Sequence, residues 1–199
     1  MFEELKKLTN SCRQFNFRAE ESSTGARIGG KAPEGIRPKT ILPTTRYFCT
    51  IPFDLSEASV FISLDDAVFD PMYRRKLLEE SCPLVVIHSQ KPRGLGVEWS
   101  SEMLPNKLVF DNTLVDHRSE EDVVPRHKIG GYPCWHDTSE SLTSDALKLL
   151  DTGWLHFVQF GFPSRRDSSI KADWPFGEDM FHIFVRERLN EIEYMYAWA

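Results

Sequence analysis

No long apolar run occurs in this sequence. Its longest stretch of aliphatic residues is Leu84 to Ile87, far short of the roughly 20 residues that span a bilayer as a helix. The first residues, Met1-Phe2-Glu3-Glu4-Leu5-Lys6-Lys7-Leu8, mix both charges from the third position, so the apolar core of a secretory leader is missing too. Cysteine is sparse. Cys12, Cys49, Cys82 and Cys134 lie more than 30 residues apart with no CxxC, which points away from a disulfide framework and toward reduced, mostly buried thiols. A basic excess is also lacking: 24 Lys and Arg stand against 30 Asp and Glu, a net charge of −6. That argues against broad binding to nucleic acid or to anionic membrane, because either needs a basic face. No GxGxxG, GxxxxGK[ST] or GxSxG is present, so no phosphate-cradling loop or nucleophile elbow is announced. Together these absences predict a cytoplasmic protein.

What is present describes a folded domain. Hydrophobic residues make up 41% of the 199, and 24 residues are aromatic; a chain of this size buries about 70% of its surface on folding. Charge is uneven along it. Residues 1–100 hold 14 Lys and Arg against 13 Asp and Glu, whereas residues 101–199 hold 10 against 17, a net of −7. An acidic face of this kind steers a basic partner.

Periodicity predicts a helix over residues 1–15, with Phe2, Leu5, Leu8 and Cys12 on one stripe. Residues 20–46 carry Gly25, Gly29, Gly30, Pro33, Gly35, Pro38 and Pro43 and read as loop. Tyr47 to Phe53 and Val60 to Leu64 read as strands. Asp70-Pro71 opens a second helix that stops before Pro83. Leu84 to His88 is the clearest strand; Gly94 to Trp99 and Lys107 to Phe110 are weaker ones, and Asp116 to Asp122 is an acidic turn. A third helix follows Ser141 or Ser144, presents Ala146, Leu147, Leu149 and Leu150, and ends at Gly153. Strands Trp154 to Phe162 and Met180 to Val185 come next, and Glu187 to Ala199 is a tail docked by its aromatics.

Two segments match at a separation of 101 residues. Arg27-Ile28-Gly29-Gly30 corresponds to Lys128-Ile129-Gly130-Gly131, with Pro33 or Pro133 just beyond. Downstream of each lies an aromatic strand, Tyr47 to Phe53 or His156 to Phe162, and then a strand ending in charge, Val60 to Asp66 or Phe181 to Glu187. A duplicated unit is the simplest origin of this pattern. Paired glycines permit positive φ or a close backbone approach; the alternative reading is a cradle of backbone N–H groups for an anion.

These residues resemble the YwqG-like family, a bacterial domain of unknown function. The resemblance rests on His127-Lys128-Ile129-Gly130-Gly131-Tyr132-Pro133, on Phe157-Val158-Gln159-Phe160 and on Gly177-Glu178-Asp179-Met180-Phe181-His182-Ile183-Phe184-Val185. It covers residues 25–199, more strongly in the second half. It implies one domain over residues 1–199 with duplicated sheet elements, half-unit one over about 20–100 and half-unit two over about 101–199, and it brings no catalytic assignment. Members of the family often sit near polymorphic toxin systems, which directs attention to an immunity role.

Candidate chemistry is thin. His127, Cys134, His136 and Asp137 crowd eleven residues, yet only one donor pair is closely spaced, where structural zinc takes two. Cys134 with His127 or His136 would make a thiolate pair, although a buried thiol is the commoner outcome. Asp65-Asp66 and Glu178-Asp179 sit at strand ends, where consecutive side chains point to opposite faces. The expectation is therefore an α+β domain with a mixed, mainly antiparallel sheet, flanking helices and internally duplicated half-units. Its expected function is protein binding, as an immunity protein that neutralises a cognate basic toxin by occlusion, with no cofactor, no metal, no nucleic acid and no membrane. Arg27, Lys128, Trp135, His136, Gln159, Trp174 and Asp179 are the expected ligand- or partner-binding residues. The alternative is a small-molecule-binding protein or enzyme with a cleft between the half-units.

Overall fold

A computed structural model describes residues 1–20, 25–37, 45–63, 84–94, 105–116, 118, 127–134, 148–163, 174, 180–189 and 191–198. Helix α1 (Phe2–Lys7) is followed by ten strands: β1 (Ser11–Arg18), β2 (Arg27–Ile28), β3 (Thr45–Pro52), β4 (Glu57–Ser63), β5 (Leu84–His88), β6 (Asn106–Asp116), β7 (His127–Gly130), β8 (Leu155–Phe160), β9 (Phe181–Arg188) and β10 (Glu191–Trp198). Every described pairing is antiparallel. The protein is mostly β, which corrects the expected α+β class, its flanking helices and its mixed sheet.

Two segments explain the correction. The apolar stripe of Phe2, Leu5 and Leu8 supports α1 only as far as Lys7. Beyond Thr9 and Asn10, which are poor helix formers, Phe15 and Phe17 alternate with exposed Asn16 and Arg18, and this period of two is that of a strand. Cys12 is buried too, but it fits the helical stripe and falls out of step with Phe15 and Phe17 on the strand, so it misleads. At the other end, the expected docked tail is β10, paired with β9 along its whole length from Glu191↔Arg188 to Trp198↔Phe181. β6 likewise extends beyond the expected Lys107 to Phe110 and ends at Asp116, where the acidic turn is expected to begin. The helix expected before Pro83 lies outside the described residues.

The third expected helix is represented by residues 148–151, and its end follows the expectation. Gly153 has φ 86°. Its N–H donates to the carbonyl of Leu150 at 3.2 Å, and that of Trp154 donates to the carbonyl of Leu149 at 3.2 Å. This pair of bonds closes a helix onto a left-handed glycine.

The chain divides into two compact units: unit 1 holds residues 16–109 and 163–175, and unit 2 holds residues 2–15, 110–162 and 176–199. In unit 1 the strand order is β2-β3-β4-β5, with the 106–109 part of β6 beside β2, and in unit 2 it is β7-β8-β9-β10, with the 11–15 part of β1 beside β7. The registers correspond. Arg27 lies opposite Thr50 and Thr50 opposite Ser59; Lys128 lies opposite Gln159 and Gln159 opposite His182. Each middle strand carries one irregularity, between Tyr47 and Cys49 or between His156 and Val158. The second strand of the pattern aligns Val60 with Ile183, both facing the equivalent residues Cys49 and Val158. This moves the sequence-based match of Val60 to Phe181 by two positions.

The glycine pairs are backbone devices. Gly29, Gly30, Gly130 and Gly131 have φ of 71°, 70°, 73° and 66°. A Cβ on Gly130 would sit 2.5 Å from Cβ of Leu8 and 2.9 Å from its carbonyl oxygen. The Gly29 N–H donates to the carbonyl of Phe48 at 2.8 Å and that of Gly131 to the carbonyl of Leu8 at 2.6 Å. These two donors are already committed to backbone carbonyls, which speaks against a cradle for an anion.

Candidate functional site

In unit 1, strand register sets a row of polar side chains on one buried face. The irregularity after Tyr47 brings Tyr47 and Thr50, three residues apart, onto that same face. The Tyr47 hydroxyl lies 2.8 Å from Thr50 Oγ1, which lies 2.9 Å from Ser59 Oγ, which lies 2.8 Å from His88 Nε2. His88 Nδ1 is 2.6 Å from the carbonyl of Ser89 and 3.8 Å from Glu57 Oε2. Nδ1 therefore donates, and in the neutral ring Nε2 accepts from Ser59; the hydroxyls then donate in one direction, from Tyr47 to Thr50 to Ser59. The N–H of Lys91 holds the Glu57 carboxylate from its other side at 3.3 Å. Burial pushes the Tyr47 phenol well above its usual range, although the positive charge of Arg27 pulls the other way.

Arg27 stands at the head of this row and is only 2% exposed. Its Nη1 donates to the carbonyl of Gly25 at 3.0 Å. Its Nε and Nη2 are buried and meet no acceptor among the described residues.

Unit 2 places different chemistry at the equivalent positions. Lys128, fully buried, donates from Nζ to the carbonyl of Tyr132 and lies 3.8 Å from Cys134 Sγ. Gln159 accepts from the N–H of Cys134 at 3.2 Å and donates to Met180 Sδ at 3.4 Å. His156 matches Tyr47: its Nδ1 lies 3.1 Å from the carbonyl of Gly130 and 3.0 Å from that of Gly131. His182 matches Ser59, with Nδ1 3.3 Å from His156 Nε2. Burial, then the neighbouring His156 and Lys128, hold the His182 imidazole well below its usual range, so it is neutral. Burial also lowers Lys128 to about 8. Beside this row a cavity of about 290 Å³ is lined by Leu5, Leu8, Tyr132, Trp154 and His156 among others.

Arg27, Lys128 and Gln159 are thus interior residues, the first in unit 1 and the other two adjacent in unit 2. Trp174 is 8% exposed and packs in the core of unit 1 against Phe17 and Phe48, both at 6.0 Å between ring centres. Trp135, His136 and Asp179 lie outside the described residues. Sequence reasoning did not select Tyr47, Ser59, His88, His156 and His182. Polar residues at equivalent positions of otherwise apolar strands were the available signal, and Tyr47 and His156 already stood first in the matched segments.

The Lys128 ammonium makes a pH prediction. Folded, it loses its proton near pH 8; unfolded, it does so near 10.5. Between those values the unfolded chain binds the extra proton, so this group adds stability as pH rises. Below pH 8 both states are charged and the gain is gone. Buried Cys49, raised well above its usual value by desolvation, acts in the opposite sense once unfolded thiols ionise, so the comparison must be with a variant. From pH 8 to 9.5 the urea-unfolding free energy of the wild type should gain about 1–2 kcal/mol relative to Lys128→Met; a constant difference would refute the shift.

Compared with known proteins, the chain matches no family model, no curated protein and no solved structure.

Proposed function

We propose that the chain is a protein-binding module that meets its partner through the β9–β10 hairpin. One observation carries this reading. Leu189, at the hairpin tip, is 90% exposed and adopts φ 51°, the only positive φ at a non-glycine among the described residues. A branched apolar side chain in the left-handed region costs about 1–2 kcal/mol, and its exposure returns nothing in the free protein. Strain of this kind marks functional positions. The hairpin is well held: Arg186 grips Glu193 through Nε at 2.8 Å and through Nη2, Arg188 Nη1 lies 3.7 Å from Glu193 Oε1, and the Arg186 guanidinium stacks 4.6 Å from the Trp154 ring centre. β10 ends the strand order of unit 2, and no described strand pairs with its far side. Such an edge accepts an added strand.

The net charge of −7 over residues 101–199 favours a basic partner. The resemblance to the YwqG-like family adds the biological direction: a bacterial immunity protein of the cytoplasm that occludes a cognate toxin. No helix among the described residues is long and apolar enough to cross a membrane.

Leu189→Asn separates function from folding, because asparagine tolerates this conformation. The variant should be about 1 kcal/mol more stable than the wild type, and it should recover its partner from a host lysate roughly thirtyfold more weakly, as expected for loss of a central apolar anchor. Recovery of no protein by the wild type, or equal recovery by both, would sink the reading.

A further inference from the structure

We propose that unit 1 binds a small monocarboxylate on Arg27. This inference is independent of the hairpin reading. It starts from a difference between two equivalent positions. Lys128 in unit 2 meets its burial in two ways: the carbonyl of Tyr132 takes its proton donor, and its ammonium sheds charge near pH 8. Arg27 has neither escape. A guanidinium keeps its proton at any physiological pH, and only its Nη1 finds an acceptor, the carbonyl of Gly25. The Nε and Nη2 donors remain, buried and with no acceptor among the described residues.

Those two atoms form one edge of the guanidinium plane. Their N–H groups run parallel and match the two oxygens of a carboxylate, the geometry that makes bidentate pairs strong and selective. The surroundings also set the charge of the ligand. Tyr47 beside Arg27 is held protonated by burial, as is Cys49, and Thr50 is neutral. The one carboxylate of the row, Glu57, stands at its far end against His88 and the Lys91 N–H. A monoanion therefore neutralises the site, whereas a dianion would leave a buried charge uncompensated. Gly25 and Ala26, next to Arg27 in the chain, are only partly buried.

The probes are sodium acetate, sodium phosphate and sodium chloride at equal ionic strength and pH 7, read by thermal unfolding and by the arginine Nε–H resonances of the labelled protein. Acetate should raise Tm by roughly 5–10 °C at about a hundredfold excess over its Kd, the rise growing with the logarithm of concentration, and should shift one Nε–H resonance saturably, with its midpoint at that Kd. Arg27→Lys removes that resonance and the two-point contact while keeping the charge, and should weaken the response about tenfold or more. Arg27→Met should abolish the response and be at least as stable as the wild type without anion, since an uncompensated buried charge is replaced by an apolar chain of similar size. Three outcomes would overturn the proposal: acetate acting no differently from chloride, Arg27→Lys responding as the wild type does, or phosphate alone giving the Tm rise and the saturable resonance shift. The wild-type and Arg27→Lys arms decide even if Arg27→Met does not fold.

Discussion

Gly130→Ala should cost unit 2 its stability almost outright, by about 3–5 kcal/mol, on the scale of the largest single-residue losses. Two effects combine. The residue holds φ 73°, and an added Cβ would stand 2.5 Å from Cβ of Leu8 and 2.9 Å from its carbonyl oxygen. The obstructing oxygen is main chain, and it accepts the Gly131 N–H at 2.6 Å, so it cannot retreat without breaking that bond. Gly153→Ala is the internal control. That glycine has φ 86° but nothing within 4 Å of its would-be Cβ, so the loss should be the conformational term alone, about 1 kcal/mol. Urea denaturation of both variants reads the difference. Equal losses would mean that the glycine turn is needed for its conformation and not for the approach of α1's following segment.

Thr50→Val, nearly isosteric, is expected to cost about 2–3 kcal/mol, because it leaves the Tyr47 hydroxyl buried without the acceptor it holds at 2.8 Å and removes a donor to Ser59. Tyr47→Phe in the same chain should recover part of that loss, since removing both partners of a buried hydrogen bond costs less than orphaning one. The double variant should thus be more stable than Thr50→Val alone. Additive losses would show that the polar row is a set of independent contacts and not a directed chain.

The sequence carried the repeat more clearly than the fold class. Gly-Gly pairs after Arg27-Ile28 and Lys128-Ile129 are short-range features, and the positive φ at all four glycines follows from their chemistry. Gly153 as a helix end was legible for the same reason. The strand of Ser11 to Arg18 was not, because Cys12 completes a helical stripe and is out of step with Phe15 and Phe17, and only Phe15 to Arg18 show the period of two. β10 was hidden by its turn: Leu189-Asn190 lacks the glycine that ordinarily announces a two-residue hairpin, and the exposed leucine there breaks a local rule. The candidate sites divide in the same way. Arg27, Lys128 and Gln159 were visible as polar residues inside repeated apolar segments, but which of them lacks acceptors depends on three-dimensional surroundings that no spacing encodes. The burial of Trp174, next to a proline in the sequence, is set by its distant neighbours Phe17 and Phe48.

Amide hydrogen exchange along β10, measured on the free protein and on the complex recovered from lysate, tests the binding role most directly. The account predicts that amides of Glu191 to Trp198 not paired with β9 exchange quickly in the free chain and become protected in the complex, while β5, the end strand of unit 1, is unchanged. Protection confined to β5, or no change at β10 in a complex that demonstrably forms, would contradict it.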